Sequence, residues 1–179
     1  YGVTLVDVTT FECMISALED DIKGSKLETL LLQTKPIEIL CNKVLLSKST
    51  KKLITDTIGQ PCFTYCTPFL HEDALDRIRQ YLGPENDWPV AVREIEKQKW
   101  AASALACCLQ YIDELGFGKS IGNLQFTLNQ VNSSSKFMIL DSTTLYNLEI
   151  IQNNDNGGTS GSLFGTLDHC STAFGRRRL

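Results

Sequence analysis

The chain has 179 residues, 42% of them hydrophobic, enough for one large domain or two small ones with real cores and too apolar for a disordered tail. Its 17 Lys and Arg against 21 Asp and Glu leave a net charge of −4, whereas duplex-binding modules concentrate positive charge to displace counterions from phosphate, so strong DNA binding by this stretch alone is not expected. No apolar run reaches the ~18 residues a membrane span needs and no basic-then-apolar signal opens the chain, so a soluble, intracellular protein with no membrane partner is expected.

In chain order, GVTLVDV (2–8) and FECMISAL (11–18) are β-branched and apolar on either side of Thr9-Thr10 and read as an antiparallel hairpin. A helix follows around 21–34 with Leu27, Leu30 and Leu31 as its apolar stripe, and Pro36 ends it before the strand PIEILC (36–41). Ser47 is placed to cap a helix over about 48–57 with Leu53 and Ile54 facing inward. CFTYC (62–66) reads as a strand, and DALDRIRQYL (73–82) as a helix closed by Gly83-Pro84. Strands interleaved with helices behind a hairpin predict an α/β layer.

Gly83 to Asp87 is polar and rich in turn residues and makes the best internal boundary, before Trp88-Pro89 anchors the chain again. Arg93 to Leu115 reads as one long helix. Its Ala101, Leu105, Cys108, Ile112 and Leu115 form a seam for other helices, and its alanines allow close approach. Residues 116–135 are rich in Gly, Asn and Ser around an alternating stretch, Leu124 to Val131, and FMIL (137–140) leads into Asp141 at an N-cap position. Helical segments are predicted at 141–152, from Ser162, and from Ser171 or Thr172. Segments of about two turns are below the length that is stable alone, so the chain is expected to be a piece of something longer.

The last two blocks carry a family resemblance. LDSTTLYNLEI (140–150), a Gly/Ser turn and SLFGTLDHCSTAFGRRRL (162–179) resemble the opening of the core, or lever, domain of MutS-type DNA mismatch-repair proteins. YGVTLVDVTTFECMISALEDD resembles the hairpin that begins the MutS connector, and KLETLLLQTKPIEIL its next helix and strand. NDWPVAV and SALACCLQYIDEL resemble the junction as it occurs in the eukaryotic homologue-six branch of the family. The resemblance implies an α/β region followed by an all-α one: a ribonuclease-H-like connector over 1–90 and the first helices of the core domain over 91–179. It also implies a nuclear protein that binds mismatched duplex DNA as a heterodimer with MutS homologue two, works with MutL-type proteins, and uses ATP and Mg²⁺. Those groups bind in a domain beyond Leu179, so this stretch would carry no catalytic, cofactor or metal residue and would transmit conformational change rather than act as an enzyme. The alternatives from other classes are a free-standing α/β interaction module and a ribonuclease-H-like nuclease.

The nuclease reading rests on Asp7, on the first strand. Two-metal cleavage needs several converging carboxylates, and Glu38 is the only other acidic residue on a convincing strand, with Asp73 and Asp76 on a separate helix. GFGKS (116–120) has letters of a phosphate-binding loop but no preceding strand and no first glycine at the proper distance. The seven cysteines are odd in number and irregularly spaced, which predicts reduced, mostly buried thiols, with Cys107 and Cys108 the most interior. Cys62, Cys66 and His71 suggest zinc but have no fourth ligand nearby. Arg176, Arg177 and Arg178 read either as a phosphate contact or localisation signal or as helix-start arginines paired with acidic neighbours outside this stretch. His169 beside Cys170 reads as a loop or helix-end residue.

Overall fold

The computed structural model describes residues 1–128, 140 and 142–179. The expected Asp141 cap, residues 129–131 of the alternating stretch and most of its extended lead-in at 137–139 lie outside them.

The hairpin forms as β1 (Gly2–Asp7) and β2 (Glu12–Ala17), antiparallel with Asp7 opposite Glu12. Its corner is an Asx turn: the Asp7 carboxylate accepts the Thr9 amide at 2.8 Å and the Thr9 hydroxyl at 2.6 Å, and Phe11 takes a left-handed φ of 58°. β2 buries Cys13 and Ile15 completely. Its other edge pairs in parallel with β5 (Gln125–Leu128), the described part of the alternating stretch.

Helix α1 (Ser25–Thr34) starts four residues later than the sequence suggests. Asp20 and Asp21 act as caps from outside instead. Asp20 accepts the amides of Lys26 and Leu27 at 3.0 and 2.9 Å, and Asp21 that of Ser25 at 3.0 Å, satisfying first-turn donors with negative charge at the positive end of the helix. The helix stops at Lys35, in the left-handed region directly before Pro36. β3 (Glu38–Cys41) and β4 (Cys62–Tyr65) pair in parallel across α2 (Lys48–Ile58), whose first turn is capped by Ser47 as expected, with Thr50 N to Ser47 Oγ at 3.0 Å. α3 (His71–Leu82) ends at Gly83, φ 80°. The described strands thus form two sheets, β1-β2-β5 and β3-β4, rather than one layer.

The predicted helix over 93–115 is broken. α4 (Val90–Glu94) and α5 (Lys99–Ile112) are separated by turns, and Gln98 at φ −101°, ψ 87° is not helical. The two segments bury different faces: α4 and its exit bury Ala91, Val92 and Ile95, whereas α5 buries Ala101, Ala102, Leu105, Ala106, Leu109 and Ile112. α5 is not the free seam of a helical bundle. It packs on α3 and on β1 and β2, and its Leu115 end of the expected seam is exposed. The approach to β1 is so close that a Cβ on Gly2 would stand 2.0 Å from the Trp100 carbonyl oxygen. One core therefore joins Cys13 and Ile15 of β2, Ala74 and Ile78 of α3, Trp88, Val92 and the apolar residues of α5. That core runs straight across the boundary expected between 90 and 91. A second, smaller core of Leu27, Leu31 and Ile54 lies between α1 and α2.

Three short helices end the chain: α6 (Ser142–Asn147), α7 (Leu163–Leu167) and α8 (Ala173–Arg178). Ser162 caps α7 through Gly165 N at 3.0 Å and Thr172 caps α8 through Gly175 N at 3.1 Å. α6 packs on α1 with Leu145 buried, while Tyr146, Leu148, Leu163, Leu167 and Phe174 expose their apolar sides. No helix among the described residues is long and apolar enough to cross a membrane.

Candidate functional site

The polar residues of α5 hold the two sheets together. Ser103, Cys107 and Tyr111 stand at i, i+4 and i+8, so they form one row along the helix. Ser103 Oγ donates to the Phe69 carbonyl at 3.0 Å, Cys107 Sγ to the Thr67 carbonyl at 3.5 Å, and Tyr111 OH to Glu38 Oε1 at 2.6 Å. The row grips the loop after β4 and the start of β3, while the opposite, apolar side of α5 rests on β1 and α3. α5 is thus a strut, apolar on one side and hydrogen-bonding on the other. A four-residue recurrence of Ser, Cys and Tyr among alanines and leucines was the signal in the sequence, masked there by the apolar seam.

Glu38 accepts from Thr64 Oγ1 at 2.5 Å as well as from Tyr111. These two bonds, Thr64 first, hold its carboxyl below the usual carboxylate range, and the same contact raises Tyr111. The ionised Glu38 carboxylate with its two donors contributes stability above the unfolded carboxylate pKa and loses it as pH falls through the lowered value in the fold. Tyr111→Phe is expected to move the Glu38 pKa upward, read by an NMR pH titration of its side chain. An unmoved value would mean that Thr64 alone sets it.

Glu38 is spent on this lock, and Asp7 on its hairpin turn. Asp76 pairs with Arg79. The carboxylates considered for cleavage chemistry therefore do not converge, and no group of three or more His, Cys, Asp or Glu side chains among the described residues is arranged to hold a metal ion. Cys62 is exposed, and Cys66 neighbours Cys107. The residues at 116–120 follow a helix and a π-helical turn with Gly116 at φ 86°, not a strand, and a Cβ on Gly118 would collide with Asp113 Oδ1 at 2.0 Å. Of the thiols, Cys13 is the most buried, a place the sequence reading gave to Cys107 and Cys108; Cys107 is buried and Cys108 half-buried. All seven are unbridged.

In the last block, Arg176 pairs with Asp168 and its guanidinium stacks over the Phe164 ring, 5.9 Å from the centroid. Burial opposes the Asp168 charge, but the bonds from Arg176 and the Cys170 amide outweigh it and keep the carboxyl low. Arg176 is thus an internal tie. His169 is exposed beside exposed Cys170.

The model of MutS domain II matches residues 1–125, and that of MutS domain III matches 143–179. The chain belongs to the MutS family. The domain II match reaches through α5 to the first residue of β5, and so takes in every buried residue of the larger core. The α/β region and the helices after it are thus connector and domain III elements of a MutS protein. The chain is 28% identical to the DNA mismatch repair protein Msh3 of Mus musculus over 99% of its length, and 27% identical to Msh6 of Homo sapiens over all of it. It is 30% identical, again over its full length, to the DNA mismatch repair protein MutS of Caldanaerobacter subterraneus. It spans 17%, 16% and 20% of those relatives, respectively.

Proposed function

We propose that this chain is the connector and the opening of domain III of a eukaryotic mismatch-recognition protein of the Msh3 and Msh6 kind. The observation that carries this reading is the succession of the two MutS domains in one chain, with relatives named as mismatch-repair proteins along its whole length. NDWPVAV and SALACCLQYIDEL favour homologue six. Relatives named Msh3 and Msh6 match at similar identity, so the proposal covers both branches. In the whole protein this reading brings mismatched duplex DNA, a heterodimer with MutS homologue two, MutL-type partners, ATP with Mg²⁺, and the nucleus. We place the end of the connector unit near residue 125 rather than 90.

The role proposed for this stretch is mechanical. α5 binds both sheets, and the first helix of the domain III block, α6, rests on α1 of the connector. A displacement at one end is passed on because packed elements shift as rigid bodies rather than deform continuously. Disrupting the gene that encodes the chain is expected to raise the spontaneous mutation rate. The intact gene should restore it, and a copy carrying Leu145→Asp, which places a charge in the α1–α6 contact, should restore it less well at equal protein level. An unchanged mutation rate on disruption would defeat the repair reading. Full rescue by Leu145→Asp would defeat the mechanical one alone.

A further inference from the structure

Four thiols meet where β3, β4 and α5 come together. Cys41 ends β3, Cys66 directly follows β4, and Cys107 and Cys108 lie on α5. The backbone of Cys66 is held from both sides: its amide donates to the Cys41 carbonyl at 3.0 Å, and its carbonyl accepts from Asn42 Nδ2 at 3.2 Å. From the other direction, Ser103 and Cys107 hold the carbonyls of Phe69 and Thr67. With the loop pinned to β3 at residue 66 and to α5 at residues 67 and 69, Cys107 Sγ stands 3.5 Å from the carbonyl of the residue next to Cys66, and the two side chains are neighbours. Cys41 and Cys108 are near enough that a charge on Cys66 disfavours ionisation of either.

We propose that Cys66 and Cys107 are a redox modification site, a thiol pair that a hydroperoxide converts to a disulfide bridging the loop after β4 to α5. Cys66 is half-buried, whereas Cys107 is buried. The Cys107 thiol beside it holds the Cys66 thiol below the usual range, and the same contact together with burial raises Cys107. Burial pushes Cys108 up to about 12. The roles divide accordingly, because the thiolate is the nucleophile. The Cys66 thiolate attacks one peroxide oxygen: an S–O bond forms, the O–O bond breaks, the sulfur loses two electrons to the peroxide, and hydroxide departs and is protonated to water. The Cys107 sulfur then attacks the sulfenic sulfur of Cys66. The S–S bond forms, the S–O bond breaks, and the hydroxide leaves as water with the Cys107 proton. Two thiols and one hydrogen peroxide yield one disulfide and two waters.

The test treats the chain with limiting hydrogen peroxide at neutral pH, blocks remaining thiols with an alkylating agent, and maps an unreduced digest by mass spectrometry. The peptide pair joining Cys66 to Cys107 should appear first. It should exceed every link between separate chains by roughly tenfold or more, because partners within one fold meet at millimolar effective concentration or above against micromolar for separate chains. The preference should vanish in denaturant. Cys107→Ser should stop the reaction at the Cys66 sulfenic acid, trapped by dimedone, and Cys66→Ser should abolish both products. Oxidation of exposed Cys62 or Cys170 ahead of Cys66, or sulfenic acid at Cys66 of the unsubstituted chain without the link to Cys107, would overturn the proposal. The map of the unsubstituted chain decides this even if either variant fails to fold.

Discussion

A chain ending at Ile95 is expected to be unfolded, and one ending at Leu128 to unfold cooperatively in urea. The first retains β1 to β4, α1 to α4 and the residues up to the expected boundary, but it lacks the helix on which the larger core is built. α5 contributes Ala101, Ala102, Leu105, Ala106 and Leu109, all fully buried, and Ile112. Trimming one buried leucine to alanine costs about 2–5 kcal/mol, against a total stability of about 5–15 kcal/mol for a domain. Losing Leu105, Leu109 and Ile112 together, about 6–15 kcal/mol, is as large as the whole stability of such a domain. The exposed faces left on α3 and on β1–β2 would add aggregation, since large apolar patches seek partners. Loss of the polar row compounds this, because the Phe69 and Thr67 carbonyls would lose their bonds to α5. Circular dichroism and urea titration of the two chains read the outcome. A cooperative transition in the shorter chain would show that the α/β elements before Trp88 are self-sufficient and that α5 is an addition to them.

That expectation differs from what the sequence suggests, and the difference is instructive. Local hydrogen-bond chemistry was legible: Ser47 and Ser162 cap as read, and of the two candidates Ser171 and Thr172 the second does, because a cap concerns three residues and one side-chain oxygen. Gly83 ends its helix because a left-handed φ there admits glycine at no steric cost. The family blocks were legible from residue order. What was not legible is non-local. Nothing in QFTL announces that β5 will pair with β2, more than a hundred positions earlier. An alanine-rich helix apolar on most of its sides declares that it is buried, but not whether helices or strands bury it. The break at Gln98 lacks Gly or Pro, and the residues EIEKQK around it suit a helix as well as a turn, so tertiary packing of Ile95 against the core decided it. The polar row on α5 is hard to see in the sequence because Ser103, Cys107 and Tyr111 stand among alanines and leucines whose apolar spacing dominates the pattern.

Trp88→Ala should cost about 3–5 kcal/mol, the range for removing a large buried aromatic side chain. Trp88 is 1% exposed and belongs to the core shared by β2, α3 and α5. Its indole Nε1 donates to the Gly83 carbonyl at 2.9 Å, closing the turn after α3, and its own carbonyl accepts from Arg93 Nε at 2.9 Å. The side chain thus fixes the segment the sequence marks as a boundary and makes it part of the core instead. At a urea slope of about 1–3 kcal/mol per molar, that cost lowers the midpoint by at least about 1 M. Trp88→Phe separates the two contributions, retaining most of the apolar volume and leaving the Gly83 carbonyl without its donor, a loss of about 1 kcal/mol for the bond plus the smaller ring. Fluorescence identifies the residue directly, because the other tryptophan, Trp100, is 57% exposed. The buried, blue-shifted component should disappear in Trp88→Ala and remain in Trp100→Phe. A midpoint unchanged by Trp88→Ala would mean that the 83–88 segment swings free of the core, and the continuity of that core across residue 90 would fall with it.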